Sequence, residues 1–383
     1  MPISADDVRQ LLRGVIDPEL NCDIVSLGMV RDVTVDGGDV GITIALTTAG
    51  CPLQAQIKRD VTSRVATTPG VDDVHLEWTE MTADEKAACM AVARKAATER
   101  AVVTDIPATA HVLAIASGKG GVGKSSITVN LAAGLAAEGF TVGVLDADIG
   151  GFSIPRMLGL EGRLAGANAE KKIVPNTRTI GDGTLKVVSM GFLVEDEQTA
   201  LLWRGQLLQR AVQHFLEDVQ WGDLDYLLID MPPGTGDIQM GLARLLPRAE
   251  MIIVTTPAVA AQKVAARAAD LARKTYLRVV GVIENMSAFT CDDGDTYALF
   301  GSGGGASLAD EIGAPLLGSV PIEPAVSAGG DVGEPAVLGT GAAADALRGI
   351  VRLLVDEAVP PVDMAGCSAR LLEKVEAALG PKP

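Results

Sequence analysis

Ser117-Gly118-Lys119-Gly120-Gly121-Val122-Gly123-Lys124-Ser125-Ser126 is a glycine-rich run that carries two lysines and ends in hydroxyls. That composition suits phosphate binding. Glycines let backbone N–H groups curl around phosphate oxygens, and a following helix adds the favourable end of its dipole. Lys124 is then placed to reach the β- and γ-phosphates of a nucleoside triphosphate and Ser125 to give its hydroxyl to Mg2+, while Gly118, Lys119, Gly120, Gly121, Val122, Gly123 and Ser126 complete the cradle. An apolar stretch from His111 to Ala116 precedes the loop and an alanine-rich amphipathic stretch follows it, so strand, loop and helix come in the required order. Lys119 is an additional cation in the same loop.

Three carboxylates extend this chemistry. Asp146 and Asp148 follow the apolar Thr141 to Leu145, and Asp230 ends Tyr226 to Ile229, just before Met231-Pro232-Pro233-Gly234-Thr235-Gly236-Asp237. Strand C-termini form the usual ligand edge of an open α/β sheet. Asp146 is expected to hold Mg2+ through water, Asp148 to orient the attacking water, and Asp230 to stand on the Mg2+ shell. The Pro-Gly-rich segment after Asp230 would sense the γ-phosphate. Each aspartate alone also fits a helix cap or a surface charge; their succession behind a phosphate loop favours ligation.

The five cysteines, Cys22, Cys51, Cys89, Cys291 and Cys367, are an odd number with no paired spacing, which suggests no disulfide framework. Cys51 lies just before Pro52 at an expected helix start. A helix dipole there would stabilise the thiolate and make Cys51 a nucleophile or soft-metal ligand; the other use of such a residue is as a small buried side chain.

The elements that must position these groups follow from periodicity. At 383 residues the chain is long enough for two domains. Residues 1–80 are expected to form a small α+β domain. Val40, Ile42, Ile44 and Leu46 alternate behind the turn Asp36-Gly37-Gly38-Asp39, then Ile57, Val61 and Val65 recur at helical spacing, and Val74, Leu76 and Trp78 alternate again. Residues 81–108 read as a helical linker broken at Thr104 to Pro107. Over 109–358, strands are expected at 111–116, 141–145, 185–190, 226–229, 251–255, 279–283 and 316–320, alternating with helices as in a mostly parallel sheet covered on both faces. After Pro360-Pro361, Leu371, Leu372, Val375 and Leu379 suggest a C-terminal helix over 359–383. It lacks the basic face of a membrane anchor.

With 48% hydrophobic and 21% charged residues and a net charge of −17, the composition is globular. That charge argues against a general basic surface for nucleic acid or anionic membrane, since such binding relies on lysine and arginine, and leaves room only for local basic patches. The first residues carry no basic and apolar signal regions, so a cytoplasmic location is expected.

The loop from Gly118 to Ser125 resembles the deviant Walker A motif of the MinD, ParA and Mrp groups. Trp203-Arg204-Gly205, Trp221 to Tyr226, Asp230 to Asp237 and Glu284-Asn285-Met286-Ser287 resemble, more narrowly, the Mrp/ApbC family of iron–sulfur cluster carrier ATPases across about residues 109–358. Asp17-Pro18-Glu19, Leu27-Gly28 and Thr48 to Pro52 are similar to the small iron–sulfur assembly domain that precedes the ATPase in many of these proteins. The resemblance implies a P-loop NTPase fold using ATP and Mg2+, and a homodimer in which Lys119 reaches the nucleotide of the other subunit. It also implies that Asn285 reads the adenine edge and that Asp148 activates water. The implied partners are apo iron–sulfur proteins and cluster assembly factors. The family holds a bridging [4Fe–4S] cluster with a Cys-x-x-Cys pair from each subunit. Here the segment is Cys291-Asp292-Asp293-Gly294, with glycine at the second cysteine, so a symmetric pair of chains offers two thiolates. Cys291 and Cys51 are the candidate cluster ligands; an ordinary loop cysteine is the alternative for Cys291. The competing function is a MinD- or ParA-like positioning or regulatory ATPase that binds no cluster.

Overall fold

The computed structural model describes residues 3–18, 20, 22–47, 53–100, 104–148, 151–164, 172–193, 205–234, 241–242, 245–246, 248–275, 277–291 and 293–361. They fall into two compact units that divide between Val103 and Thr104.

In the first unit the order is α1 (Ala5–Leu12), β1 (Ile16–Asp17), β2 (Cys22–Asp23), β3 (Val30–Asp36), β4 (Asp39–Leu46), α2 (Gln54–Ala66), β5 (Asp73–Glu80) and α3 (Ala83–Arg100). β3 and β4 form the expected antiparallel hairpin, and β5 joins β4 in parallel, which α2 permits by crossing over. Sequence periodicity did not lead to α1, although its start is legible. Ser4 and Asp7 form a reciprocal capping box, and Val8, Leu11 and Leu12 then turn their side chains into the same core as Ile57, Val61 and Val65. Met81, Cys89 and Ala93 are buried there too, so the helix within the expected linker adds to the core of this unit.

The second unit runs β6 (His111–Ala116), α4 (Lys124–Ala137), β7 (Thr141–Asp146), α5 (Ile154–Met157), β8 (Asn176–Ile180), β9 (Gly183–Ser189), α6 (Gly205–Glu217), β10 (Tyr226–Asp230) and β11 (Glu250–Thr255). It continues with α7 (Val259–Lys274), β12 (Arg278–Thr290), β13 (Thr296–Tyr297), α8 (Gly304–Ile312), β14 (Leu316–Ile322), α9 (Pro324–Val332) and α10 (Ala342–Leu353). The strands lie in the order β13-β12-β11-β6-β10-β7-β9-β8, with β14 also beside β12. All pairs are parallel except β8 with β9 and β12 with β13.

Alternate side chains of one strand enter opposite layers, as a period of two requires. Val112 and Ala114 pack with Phe215, Trp221 and Ala265 on one face. Leu113 and Ile115 pack with Leu131, Leu135 and Ile350 on the other. Each of the valine, leucine, isoleucine and phenylalanine side chains among them, fully buried, contributes about 1.5–3 kcal/mol of transfer free energy. Three features went unforeseen. β8 and β13 are short antiparallel pieces, and β12 runs on from Ile283 to Thr290, carrying Glu284 to Ser287 inside a strand.

Candidate nucleotide site

β6 is central, with β11 on one side and β10 on the other, and β10 is flanked in turn by β7. The loop from Ser117 to Gly123 therefore leaves the middle of the sheet, and Asp146 and Asp230 are direct neighbours in register at the ends of β7 and β10. Gly123 begins α4 in the left-handed region at φ 80, where a side chain would be strained. Gly118 is required by proximity: a Cβ there would lie 2.2 Å from the backbone carbon of Val264 in α7.

Lys124, the first residue of α4, is only 6% exposed. Its Nζ donates to Asp230 Oδ1 at 2.8 Å and lies 3.9 Å from Asp148 Oδ2. Ser125 Oγ donates to Asp230 Oδ2 at 2.6 Å. Thr128, one turn along α4, donates through Oγ1 to Asp230 Oδ1 at 2.9 Å. A buried carboxylate is tolerable where several donors meet it, and Asp230 has three.

Asp146 is less well served. Its Oδ2 accepts from Ser189 Oγ at 2.9 Å, and Ser189 Oγ in turn accepts from the Gly191 N–H at 3.0 Å. Its Oδ1 is buried with no hydrogen-bond partner. Burial, followed by the neighbouring Asp230 charge, pushes the Asp146 carboxyl up to about 8. Asp148 is also raised, by burial first, against the opposing pull of Lys124. An orphaned buried acceptor beside a hydroxyl and a second carboxylate is an all-oxygen donor set, which suits Mg2+. Mg2+ keeps waters and phosphate oxygens as ligands, so it does not need a cage of three protein side chains. Among the described residues no such cage of His, Cys, Asp or Glu occurs.

The loop opens on a cleft of about 490 Å3, a size that suits a small-molecule ligand. Lys119 is exposed on it, and Asp148, Arg156, Asn285, Met286 and Asp331 also line it. Asn285 stands beside the loop, its Nδ2 donating to the Val122 carbonyl at 3.0 Å. The Gly234 N–H donates to the Ser117 carbonyl at 3.0 Å, so the segment after Asp230 starts against the loop; Thr235 to Asp237 lie outside the described residues.

The expected loop residues, the three aspartates and Asn285 thus converge on one sheet edge. Thr128 and Ser189 were not anticipated. The cysteines do not join them. Cys51 lies outside the described residues, as do Cys367, Trp203 and Arg204. Cys291 is half-buried just past the end of β12 in a tight turn: its N–H donates to Asp295 O and Gly294 N donates to its carbonyl, each at 2.9 Å, with Gly294 at φ 90. Cys22 and Cys89 are buried in the first unit, and burial pushes the Cys89 thiol up to about 11. Two further residues of the resemblance are structural: Trp221 is buried and its Nε1–H donates to Phe215 O, and the Tyr226 hydroxyl donates to Val359 O.

A glycine loop between a central parallel strand and its helix, with aspartates at the two adjoining strand ends, defines the second unit as a P-loop nucleotide-binding domain. Residues 108–355 match the model of the NUBPL iron-transfer P-loop NTPases, and residues 5–78 match that of the iron–sulfur cluster assembly proteins. The chain is 45% identical over 339 residues to the iron-sulfur cluster carrier protein of Mycobacterium tuberculosis, covering 86% of this chain and 87% of the relative. The protein of the same description from Deinococcus radiodurans is 42% identical over 355 residues, with 92% and 95% covered. Among solved structures, the nucleotide-binding protein from Archaeoglobus fulgidus in complex with ADP is 36% identical with a TM-score of 0.51, covering 60% of this chain and 89% of that one. This chain belongs to the NUBPL-type family of iron-transfer P-loop NTPases, with an iron–sulfur cluster assembly domain ahead of the NTPase.

Proposed function

We propose that this protein is a Mg2+-dependent ATPase that receives iron–sulfur clusters as cargo and passes them to apo-proteins, working as a homodimer in the cytoplasm with cluster assembly factors as donors. The domains are 1–80 for assembly, with the helix of the 81–108 segment packed onto its core, 109–358 as ATPase and 359–383 as a tail. The convergence of Lys124, Ser125 and Asp230 carries the ATPase function, because these groups already lie within 2.6–2.8 Å contacts at the phosphate loop. On ATP binding, Lys124 exchanges Asp230 for the β- and γ-phosphates. Ser125, Asp146 and Asp230 would hold Mg2+, which would neutralise charge on the phosphate oxygens. Asp148, 3.9 Å from the Lys124 ammonium, accepts a hydrogen bond from the attacking water and so aligns it. Asn285 meets the adenine edge, and Lys119 of each chain stabilises charge on the nucleotide of the other. Gly118 to Ser126 supply the remaining phosphate contacts.

Cys291 and Cys51 are the proposed thiol ligands of the cargo, supported by the family to which the chain belongs. Gly294 is the observation that favours the competing function, a positioning or regulatory ATPase without cargo. Its φ of 90 shapes the turn around glycine rather than around a second thiol. Anaerobic transfer separates the two. Protein reconstituted with iron and sulfide should activate an apo-[4Fe–4S] enzyme faster than free iron and sulfide do. Activation no faster than that control, together with nucleotide-dependent pelleting on liposomes or DNA, would favour the positioning ATPase.

A further inference from the structure

We propose that Asn285 is a latch on the phosphate loop, a positioning role separate from any contact it makes with a base; this rests on the ATPase function proposed above. The Asn285 Nδ2 donates to the carbonyl of Val122 at 3.0 Å across 163 positions of chain, and the bond is buried. A carbonyl only accepts, so the NH2 end of the amide faces the loop.

Val122 stands between two glycines in the left-handed region, Gly121 at φ 81 and Gly123 at φ 80. Glycine adopts either sign of φ with similar ease, so a peptide between two of them swings readily unless something holds it. The Val122 carbonyl and the Gly123 N–H belong to one planar peptide. A hydrogen bond on the carbonyl therefore also fixes the direction of the N–H, one of the donors at the start of α4 that must point at phosphate. Contact is close as well: a Cβ on Gly123 would fall 2.2 Å from Asn285 Nδ2, so the amide packs directly on the Gly123 Cα.

The strand is irregular beside this contact. Pairing of β12 with β14 jumps from Asn285 to Phe289, and between them Met286 takes φ 57, the one positive φ of a non-glycine among the described residues. Such backbone persists where the surrounding structure over-determines it. The departure from regular strand falls on the residue right after the amide that grips the loop. The phosphate cradle is thereby preorganised from β12, which lies beyond β11 from the strand that leads into the loop, before a ligand arrives.

Inorganic tripolyphosphate with Mg2+ separates a latch from a base reader, because it has phosphates and no base. Calorimetric titration of the full chain should show Asn285→Ala and Asn285→Leu each weakening tripolyphosphate about 5- to 10-fold, the loss of one buried hydrogen bond, and ATP by at least as much. Variants that hold tripolyphosphate as tightly as wild type overturn the latch and leave the ATP site standing. A loss confined to Asn285→Ala also overturns it, since Leu keeps the branched four-atom skeleton of the side chain and the defect is then one of packing. Wild type that binds ATP but not tripolyphosphate overturns the latch as well. Wild type that binds neither overturns the ATPase function beneath it.

Discussion

Replacing Thr128 by Val tests whether Asp230 is the organising acceptor of the nucleotide-free site. The change is nearly isosteric and leaves no cavity, but it removes the donor that Oγ1 offers Asp230 Oδ1 at 2.9 Å. Both side chains are fully buried, so water does not substitute for the lost hydroxyl. A hydrogen bond to a charged group contributes about 1.5–3 kcal/mol, and Asp230 keeps two of its three donors, so about 2 kcal/mol is expected. That is a change of roughly 30-fold in the folding constant. For a unit of this size it lowers the melting temperature by about 4–8 °C. Urea unfolding and scanning calorimetry of the nucleotide-free protein measure both quantities. A loss under about 0.5 kcal/mol would refute the three-donor arrangement around Asp230.

Lys124→Ala should abolish nucleotide binding in a fluorescent-nucleotide titration, whereas Lys119→Ala should retain much of the binding and lose hydrolysis or ATP-dependent dimer closure; wild-type turnover in the Lys119 variant rules out its action across the dimer. Gly123→Ala meets both a backbone penalty of about 1–2 kcal/mol at φ 80 and the Asn285 amide, so it should bind no ATP at micromolar concentration, and retained affinity contradicts the loop geometry. The folded Asp146 carboxyl, raised to about 8 by burial, holds a proton that the unfolded chain releases in the ordinary carboxylate range. Its contribution to nucleotide-free stability is therefore complete in acid and is lost as pH rises toward 8. Asp146→Asn should flatten this slope in urea unfolding at pH 6 and pH 8, and an unchanged slope assigns it to other groups.

The nucleotide site was legible wherever chemistry is written locally. The glycine loop and Asp146, Asp148 and Asp230 each sit next to the strand that presents them, so order along the chain predicts proximity in space. Thr128 and Ser189 were not legible because their partners lie 102 and 43 positions away, and a threonine inside a helix or a serine at a strand end has many ordinary uses. The same holds for the bond from Asn285 to Val122, which spans 163 positions and sits beside a positive φ at Met286 that no residue type announces. α1 could have been found from its capping box and the apolar spacing of Val8, Leu11 and Leu12. The short antiparallel strands β8 and β13 could not, since two to five residues carry too little periodicity to stand out. At Cys291 the sequence exposed the departure from the family pattern, and the structure adds its form: a glycine turn with φ 90 at position 294.

Cargo binding is tested most directly by iron content. After anaerobic reconstitution with iron and sulfide, and removal of unbound ions, the wild-type protein should retain iron with the visible absorption of a cluster, and a variant with both Cys51→Ser and Cys291→Ser should retain little of either. Equal iron in the two proteins, or none in the wild type, would contradict the assignment of this chain as an iron–sulfur carrier through those thiols.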